Sequence, residues 1–255
     1  MISSFWEAAA VLLAGVWAGT INTVVGSGTL VSFPVLVAVG LPPVTANVSN
    51  SIGLVPGSVT GAWGYRKELR GQRARLRWLV PATTAGGALG AVLLLWLPAS
   101  AFEAIVPVLI GLGVVLVVLG PRIARAVMAH HAQQGGVPER GVWWVWPAVF
   151  GTGVYGGYFG AAQGVLLMAV FGIGIDDHVQ RHNALKNVLA ALVNAVAAVV
   201  FIAVAHVDWR AVVLLGVGAV LGGLLGARVG RRLSPNLLRA VIVVVGLVAM
   251  VAFLV

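Results

Sequence analysis

The sequence predicts an all-α protein that crosses a membrane several times. Of its 255 residues, 60% are hydrophobic and only 9% are charged, and the mean hydropathy is +1.02. Soluble domains carry about 25% charged residues, so this composition excludes that class. Continuous apolar runs such as 91–97 and 241–255 also exclude a β-barrel, whose strands alternate apolar and polar residues.

Ten apolar segments, each a predicted helix, follow one another along the chain. They lie at about 6–25, 29–40, 44–65, 78–97, 102–119, 142–160, 163–175, 178–205, 210–229 and 235–255. Segments 29–40 and 163–175 are too short for a hydrocarbon core of ~30 Å, since a helix rises about 1.5 Å per residue. Each follows a glycine-containing break, so 6–40 and 142–175 are predicted to be broken helical hairpins that either re-enter, with their tips inside the membrane, or span it. About eight crossings are expected, within a range of about six to ten that depends on whether the hairpins span.

Basic residues in the loops predict the orientation of these segments. Loop 66–77 holds six Lys or Arg residues and one Glu, and loops 121–141 and 228–239 are also basic, which predicts that all three are cytoplasmic. Loops 98–101 and 206–210 contain at most one basic residue, which places them and both termini outside. This distribution accounts for the formal net charge of +9, so no nucleic-acid partner is expected. The N-terminus lacks a basic n-region, and no cleaved signal peptide is expected.

The two halves of the chain are related by a gapless internal repeat, in which one constant shift aligns the first half with the second. The shift superposes Asn47, Ser51 and Ser58 on Asn183, Asn187 and Asn194, Asn50 on Lys186, and Gly28 on Gly164. The predicted organisation is a first membrane repeat at 1–120, a cytoplasmic linker at 121–141 and a second membrane repeat at 142–255. Because each repeat crosses an odd number of times, the repeats are predicted to be inverted, a recurrent plan of secondary transporters.

Polar residues form one face of the helix predicted at 178–205. Asn183, Asn187 and Asn194 fall at spacings that keep them on one side of a helix. Such residues either bind a ligand or hydrogen-bond to neighbouring helices, and ligand binding is favoured for those beside the breaks. Lys186 lies on the same helix, where an ammonium group is costly unless it is paired or snorkels to the interface. If Lys186 faces a site instead, it favours a bound anion.

Two breaks, at Gly26-Ser27-Gly28 and Gln163-Gly164, precede the short segments. A helix that begins after such a break directs free N–H groups and the positive end of its dipole at whatever lies between the hairpins. This arrangement binds anions. Ser27, Thr29 and Gln163 add side-chain donors, and the glycines allow close approach of the backbone.

Acidic and thiol groups are scarce in this chain. It has seven Asp or Glu residues, all near predicted helix ends or in loops, and no cysteine. No buried carboxylate is therefore available as a cation ligand, and thiolate metal sites and cysteine nucleophiles are excluded. Glu103 and Asp177 are candidates for proton carriers, although an interfacial location is the commoner explanation for such residues. No metal and no cofactor are expected.

A longer pattern surrounds the two breaks. Its members are Gly19, Asn22, Gly26-Ser27-Gly28, Pro34, Gly40-Leu41-Pro42 and Ala46-Asn47-Val48-Ser49, then Gly156-Gly157, Gly164, Gly174 and Asn183-Ala184-Leu185-Lys186-Asn187. This pattern resembles the sulfite exporter TauE/SafE family over nearly the whole chain. The family often has three glycines at the turns, whereas this chain has Gly26-Ser27-Gly28 and Ala161-Ala162-Gln163-Gly164. The resemblance implies transport of sulfite, organosulfonates or related sulfur oxyanions.

The residues and the resemblance together predict a secondary transporter, not an enzyme. It would sit in the lipid bilayer of the cytoplasmic membrane of a prokaryote and export a small anion, sulfite or an organosulfonate, by alternating access. The sequence has no ATP-binding P-loop, so ion or anion gradients would drive transport. The predicted substrate-binding residues are Asn22, Ser27, Gly28, Thr29, Asn47, Asn50, Gln163, Gly164, Asn183, Lys186 and Asn187.

Two other functions fit parts of the same pattern. In a non-transporting accessory or scaffold protein, the polar faces would only join helices. In an intramembrane serine hydrolase, Ser27 would act with His182 or His206, although the sequence has no GxSxG-type elbow.

Overall fold

The computed structural model describes residues 4–131 and 141–229, together with Ile2, Ala240, Val243, Val244 and Leu247. Residues 4–131 and 141–229 contain α1 (Phe5–Val24), α2 (Thr29–Ala38), α3 (Pro43–Gly64), α4 (Arg73–Trp96), α5 (Ala99–His131), α6 (Val145–Tyr158), α7 (Gln163–Gly174), α8 (Val179–Val204) and α9 (Trp209–Val229). No β-strand occurs in these two ranges. The all-helical class is therefore confirmed, while the predicted segment 235–255 falls almost entirely outside the described residues.

Both predicted hairpins are broken as expected. Helix α1 begins with a capping box in which Ser4 and Glu7 exchange hydrogen bonds of 3.1 Å, and it ends at Val24, before Gly26. Gly26 has φ of +93°, a left-handed conformation that other residues adopt only with strain. Helices α2 and α7 have 10 and 12 residues, so neither is long enough to span a bilayer alone.

Two helices extend further than the apolar pattern predicts. Helix α4 begins at Arg73 instead of about 78, because Gln72 donates a 2.9 Å hydrogen bond to the Glu68 carbonyl oxygen and joins the loop to the helix. Helix α5 continues to His131, past the predicted repeat boundary at 120. Segment 121–131 is polar but rich in Arg and Ala, which have high helix propensity.

Five of the described helices are long and apolar enough to cross a membrane. They are α1, α4, α5 over Ala99–Leu119, α8, and α9 over Trp209–Arg228. Helix α3 has 22 residues but carries many buried polar groups, and α6 has only 14 residues. The chain is thus a polytopic membrane protein, and the count of eight crossings stays a prediction.

Glycines bring two pairs of helices into close contact, α1 with α9 and α4 with α6. A Cβ atom on Gly222 would overlap the Val16 carbonyl oxygen, and a Cβ atom on Gly86 would overlap the Phe150 carbonyl oxygen. Both glycines belong to small-residue patterns of the kind that permits close helix packing. Helices α3 and α8 pack against each other and against α9 and α4, respectively, and form the centre of the bundle.

An ion-pair cluster joins the loop before α4 to the loop before α8. The Asp177 carboxylate accepts hydrogen bonds from Arg75 and, at 2.8 Å, from Arg181, and Arg181 also donates to the Arg70 carbonyl oxygen at 2.9 Å. Partial burial raises the pKa of Asp177, but the hydrogen bonds from Arg181 and Arg75 outweigh it and hold the pKa at about 2. Asp177 is therefore ionised at neutral pH and acts as a structural anion there.

Replacing Asp177 by asparagine should lower the free energy of unfolding at pH 7 by about 1–3 kcal/mol, because its charge-assisted hydrogen bonds are lost. The carboxylate stabilises the fold fully above its unfolded-state pKa of 3.8, and this contribution is lost as the pH falls through about 2. The difference between wild type and variant in detergent should therefore vanish near pH 2. The exposed neighbour Asp176 provides the control: Asp176→Asn should change little. Equal stability of wild type and Asp177→Asn at pH 7 would refute this role.

Candidate functional site

The two breaks touch each other. The Gly164 N–H at the start of α7 donates a 2.9 Å hydrogen bond to the Gly26 carbonyl oxygen. A Cβ atom on either glycine would overlap the Cα atom of the other. The tips of the two hairpins therefore meet directly, with the backbones as close as glycine allows.

Three side chains of α8 converge on the C-terminal end of α1. Lys186 Nζ lies 3.0 Å from the Asn22 carbonyl oxygen and 3.3 Å from that of Thr23. Asn183 and Asn187 also donate to the Thr23 oxygen, at 3.3 and 3.2 Å. A helix C-terminus has unpaired carbonyl groups and a partial negative charge, so a cation and two amides satisfy it well.

Lys186 is fully buried, with no exposed surface, so it does not snorkel to an interface. No described carboxylate forms a salt bridge with it. Its ammonium group has three N–H donors, and the described contacts are to two carbonyl oxygens. The site thus contains a buried amine that donates to carbonyl oxygens and has no carboxylate partner among the described residues.

The end of α6 is capped from α3 in a similar way, but without a cation. Asn47 Nδ2 donates a 2.9 Å hydrogen bond to the Tyr158 carbonyl oxygen. Asn50, the repeat equivalent of Lys186, instead turns toward α2: it donates to Thr29 Oγ1 at 3.3 Å and accepts from Ser32 Oγ at 2.5 Å. The two helix ends at the centre of the protein therefore differ by one positive charge.

The N–H groups of Gly28 and Gly164, at the starts of α2 and α7, are both hydrogen-bonded to protein oxygens. The sequence had predicted free N–H groups at these helix starts. Gly28 N–H donates to Asn22 Oδ1 at 2.9 Å, and Gly164 N–H donates to the Gly26 carbonyl oxygen. Protein oxygens thus accept hydrogen bonds from the two N–H groups that the sequence analysis assigned to an anion.

Side-chain amides lie at both breaks, half-buried in the first and buried in the second. In the first, Asn22 of α1 reaches across to α2; in the second, the Gln163 amide of α7 lies against α6, where a Cβ atom on Gly156 would overlap it. Among the described residues, four atoms of the predicted site residues are buried without a hydrogen-bond partner: Ser27 Oγ, Gln163 Nε2, Asn47 Oδ1 and Asn183 Oδ1. Unsatisfied buried polar groups cost free energy, and their concentration here indicates a site for a polar ligand or water.

Comparison with known proteins assigns the chain to a family. The family model described as "Sulfite exporter TauE/SafE" matches residues 11–253. The chain belongs to the TauE/SafE family. Over 233 residues it is 24% identical to the "Probable membrane transporter protein YfcA" of Escherichia coli strain K12, a match that covers 91% of this chain and 83% of that protein. It is also 26% identical over 239 residues to the "Probable membrane transporter protein ORF9" of a Sinorhizobium species, which covers 90% of this chain and 85% of that protein. No solved structure matches the chain.

The family resemblance predicted from the sequence is confirmed, and the TauE/SafE chain is a membrane transporter. The structure brings the eleven predicted site residues to the two breaks and to the facing ends of α3 and α8. Asn194 and Ser58, which were not in that set, hydrogen-bond to each other at 3.2 Å and join α8 to α3. The predicted role of the eleven residues in substrate binding stays a proposal.

Three further residues of this TauE/SafE site were missed by the sequence reasoning. Ser32 bonds to Asn50, Gly156 makes room for the Gln163 amide, and Thr23 presents the carbonyl oxygen that three donors share. Ser32 could have been found, since it lies one turn after Gly28 in the same apolar helix. The Thr23 carbonyl could not, because a backbone acceptor leaves no signal in the side-chain pattern.

The residues of the hydrolase alternative do not form a nucleophile–base pair. In the described part of the chain, Ser27 Oγ and His182 Nε2 each lack any hydrogen-bond partner, so they do not contact each other. A serine nucleophile requires a base within hydrogen-bond reach. The described residues also contain no group of three or more His, Cys, Asp or Glu side chains that could hold a metal ion.

Proposed function

We propose that this TauE/SafE chain is a secondary transporter that exports a small anion, sulfite or an organosulfonate, across the cytoplasmic membrane. The observation that carries the proposal is the buried, acid-free ammonium group of Lys186 beside two helix breaks that have unsatisfied donors. A buried charge within a membrane protein normally marks a substrate or ion path. An anion at the breaks would neutralise Lys186 and accept hydrogen bonds from Ser27 and Gln163.

Helix bounds support the proposed inverted repeats. In the first hairpin α1 ends at Val24 and α2 begins at Thr29, and in the second hairpin α6 ends at Tyr158 and α7 begins at Gln163, so both breaks have the same length. Helices α3 and α8 begin at positions related by the gapless shift that superposes Asn47 on Asn183, whereas the hairpins are related by a slightly smaller shift. The contacts are reciprocal as well, since α1 packs on α9 as α6 packs on α4.

The hydrogen bond between Ser58 and Asn194 supports the same symmetry. These residues are equivalent under the gapless shift, and a residue contacts its own repeat equivalent only near a twofold axis. An axis at the crossing of α3 and α8 would relate the two breaks to each other. Alternating access would then follow from rocking of one repeat against the other around the contact between Gly26 and Gly164.

In the proposed transport cycle, the structure is a closed state in which the tips of the two hairpins are in contact. The Gly26 carbonyl oxygen and Asn22 Oδ1 accept the hydrogen bonds of Gly164 and Gly28, respectively, that would otherwise reach an anion. Substrate entry would replace these two protein oxygens with anion oxygens. The basic loop 66–77 and its ion pair with Asp177 would lie on the cytoplasmic side.

Flux measurements in proteoliposomes test the proposed function. With an imposed membrane potential, the wild type should carry sulfite or a simple sulfonate saturably, and Gln163→Ala should reduce this flux about tenfold or more by removing a buried donor to the anion. Asn194→Ala, which removes a half-buried amide that hydrogen-bonds to Ser58 and not to either break, should retain flux. Lack of flux for sulfite, sulfonates and thiosulfate in both directions would instead favour the accessory-protein function.

A further inference from the structure

Two buried amide oxygens at the breaks have no donor among the described residues, Asn47 Oδ1 and Asn183 Oδ1. The Nδ2 atom of each amide is committed to a helix-end carbonyl oxygen, that of Tyr158 for Asn47 and that of Thr23 for Asn183. Neither amide can therefore be turned over to present a donor without losing that bond. Both amide oxygens can therefore only accept hydrogen bonds. An anion without an O–H or N–H group cannot donate a hydrogen bond to them.

The surroundings of the two acceptors differ. Asn183 and Lys186 both donate to the Thr23 oxygen, so the lone Asn183 oxygen belongs to the end of the site that holds the Lys186 amine. Asn47 has no such neighbour: the residue at the position of Lys186 is Asn50, whose amide is engaged with Thr29 and Ser32. Asn47 is also fully buried, with no exposed surface. Its oxygen is therefore the acceptor that most needs a ligand donor.

The site consequently has two unlike ends. At the end of α1, the Lys186 ammonium and the unpartnered hydroxyl of Ser27 favour an anionic group. At the end of α6, the Asn47 oxygen favours a hydrogen-bond donor, and no cation is present among the described contacts to repel a positively charged one. The two helix ends, Val24 and Tyr158, lie within six residues of the glycines that form the contact between Gly26 and Gly164.

Building on the proposed function, we propose that the site prefers a bifunctional sulfonate, with its anionic group beside Lys186 and a hydroxyl or ammonium group that donates to Asn47 Oδ1. A site with a buried hydrogen-bonding group discriminates strongly against a ligand that leaves that group unpaired. A sulfonate with a methyl group in place of the donor would bury the Asn47 oxygen without a partner. Such a ligand should bind more weakly than a hydroxy sulfonate of the same size and net charge. An amino sulfonate has the same size but is a zwitterion, so it also tests whether the Asn47 end accepts an ammonium group.

Three sulfonates of matched size test the inference: propane-1-sulfonate, 2-hydroxyethanesulfonate and 2-aminoethanesulfonate. Their affinities for the purified full-length protein can be measured by calorimetry at one pH and ionic strength. The hydroxy or amino compound should bind about tenfold or more tightly than propane-1-sulfonate. This advantage should disappear in Asn47→Ala and persist in Asn194→Ala, which removes an amide elsewhere on the bundle.

The outcomes separate the inference from the proposed function. Equal affinities for the three sulfonates, or an advantage that survives in Asn47→Ala, would overturn the donor preference and leave the anion transporter standing. Equal affinities are also the result expected if only water satisfies the Asn47 oxygen. Failure of all three sulfonates and of sulfite to bind saturably would overturn the proposed function itself. If Asn47→Ala does not fold, the ligand series on the wild type still decides the question.

Discussion

Replacing Gly164 by alanine is expected to abolish transport and to lower the free energy of unfolding by about 1–3 kcal/mol or more. The added methyl group would overlap the Gly26 Cα atom and lie 2.8 Å from the Gly26 carbonyl oxygen. Backbone atoms cannot rotate away as a side chain can, so the two hairpin tips would have to separate. Thermal unfolding in detergent and flux in proteoliposomes measure the two effects.

Gly172 provides a matched control for this substitution. It lies in the same helix, α7, and a Cβ atom at this position would have no described atom within 4 Å. Gly172→Ala should leave flux unchanged and stabilise the helix by up to about 1 kcal/mol, because alanine has the higher helix propensity. Wild-type flux and stability in Gly164→Ala would show that contact between the breaks is not required.

Replacing Lys186 by methionine is expected to reduce anion flux at least tenfold with little loss of stability. The ammonium group has carbonyl partners but no described acid, and an apolar side chain of similar length in place of a buried charge is often neutral or stabilising. The Thr23 oxygen would keep its bonds from Asn183 and Asn187. The anion, in contrast, would lose the positive charge that attracts it.

The combination of flux and stability distinguishes the two roles of Lys186. A purely structural clamp predicts that Lys186→Met unfolds at lower temperature while the remaining folded protein transports at the wild-type rate. An anion-binding role of Lys186 predicts instead that the unfolding temperature stays close to that of the wild type while the anion flux falls. Lys67→Met is the control, since Lys67 is an exposed lysine in the loop before α4 and should tolerate the change in both assays.

The sequence predicts the helices of this protein better than it predicts their partners. The break before Thr29 was recognisable because Gly26-Ser27-Gly28 interrupts the apolar run there. The second break was predicted at Gln163-Gly164, but these are the first two residues of α7 and the break lies at 159–162. The end of α5 was not recognisable, because Arg and Ala in a polar segment are as compatible with a helix as with a loop. The local composition is therefore sufficient to predict the helix breaks but not the end of α5.

At the candidate site, too, the sequence predicts which side chains are involved but not which groups they bind. The polar faces of α3 and α8 were predicted from spacing, and the structure places Asn47 and Asn183 of these faces at the breaks. Their partners are the carbonyl groups of Tyr158 and Thr23, which belong to distant helices and could not be inferred from side-chain types. For Lys186 the sequence left snorkelling and a buried site equally open, and only the packing of α8 against α1 decides for burial.

Substrate protection of a single cysteine tests the central claim most directly, because the chain has no cysteine of its own. Ser27→Cys is nearly isosteric and places a thiol beside the contact between the breaks, while Ser100→Cys places one at an exposed position at the start of α5. A transported sulfonate should slow maleimide labelling of Ser27→Cys saturably and leave labelling of Ser100→Cys unchanged. Labelling of Ser27→Cys that no transported anion affects, in protein that still carries flux, would contradict an anion site at the breaks.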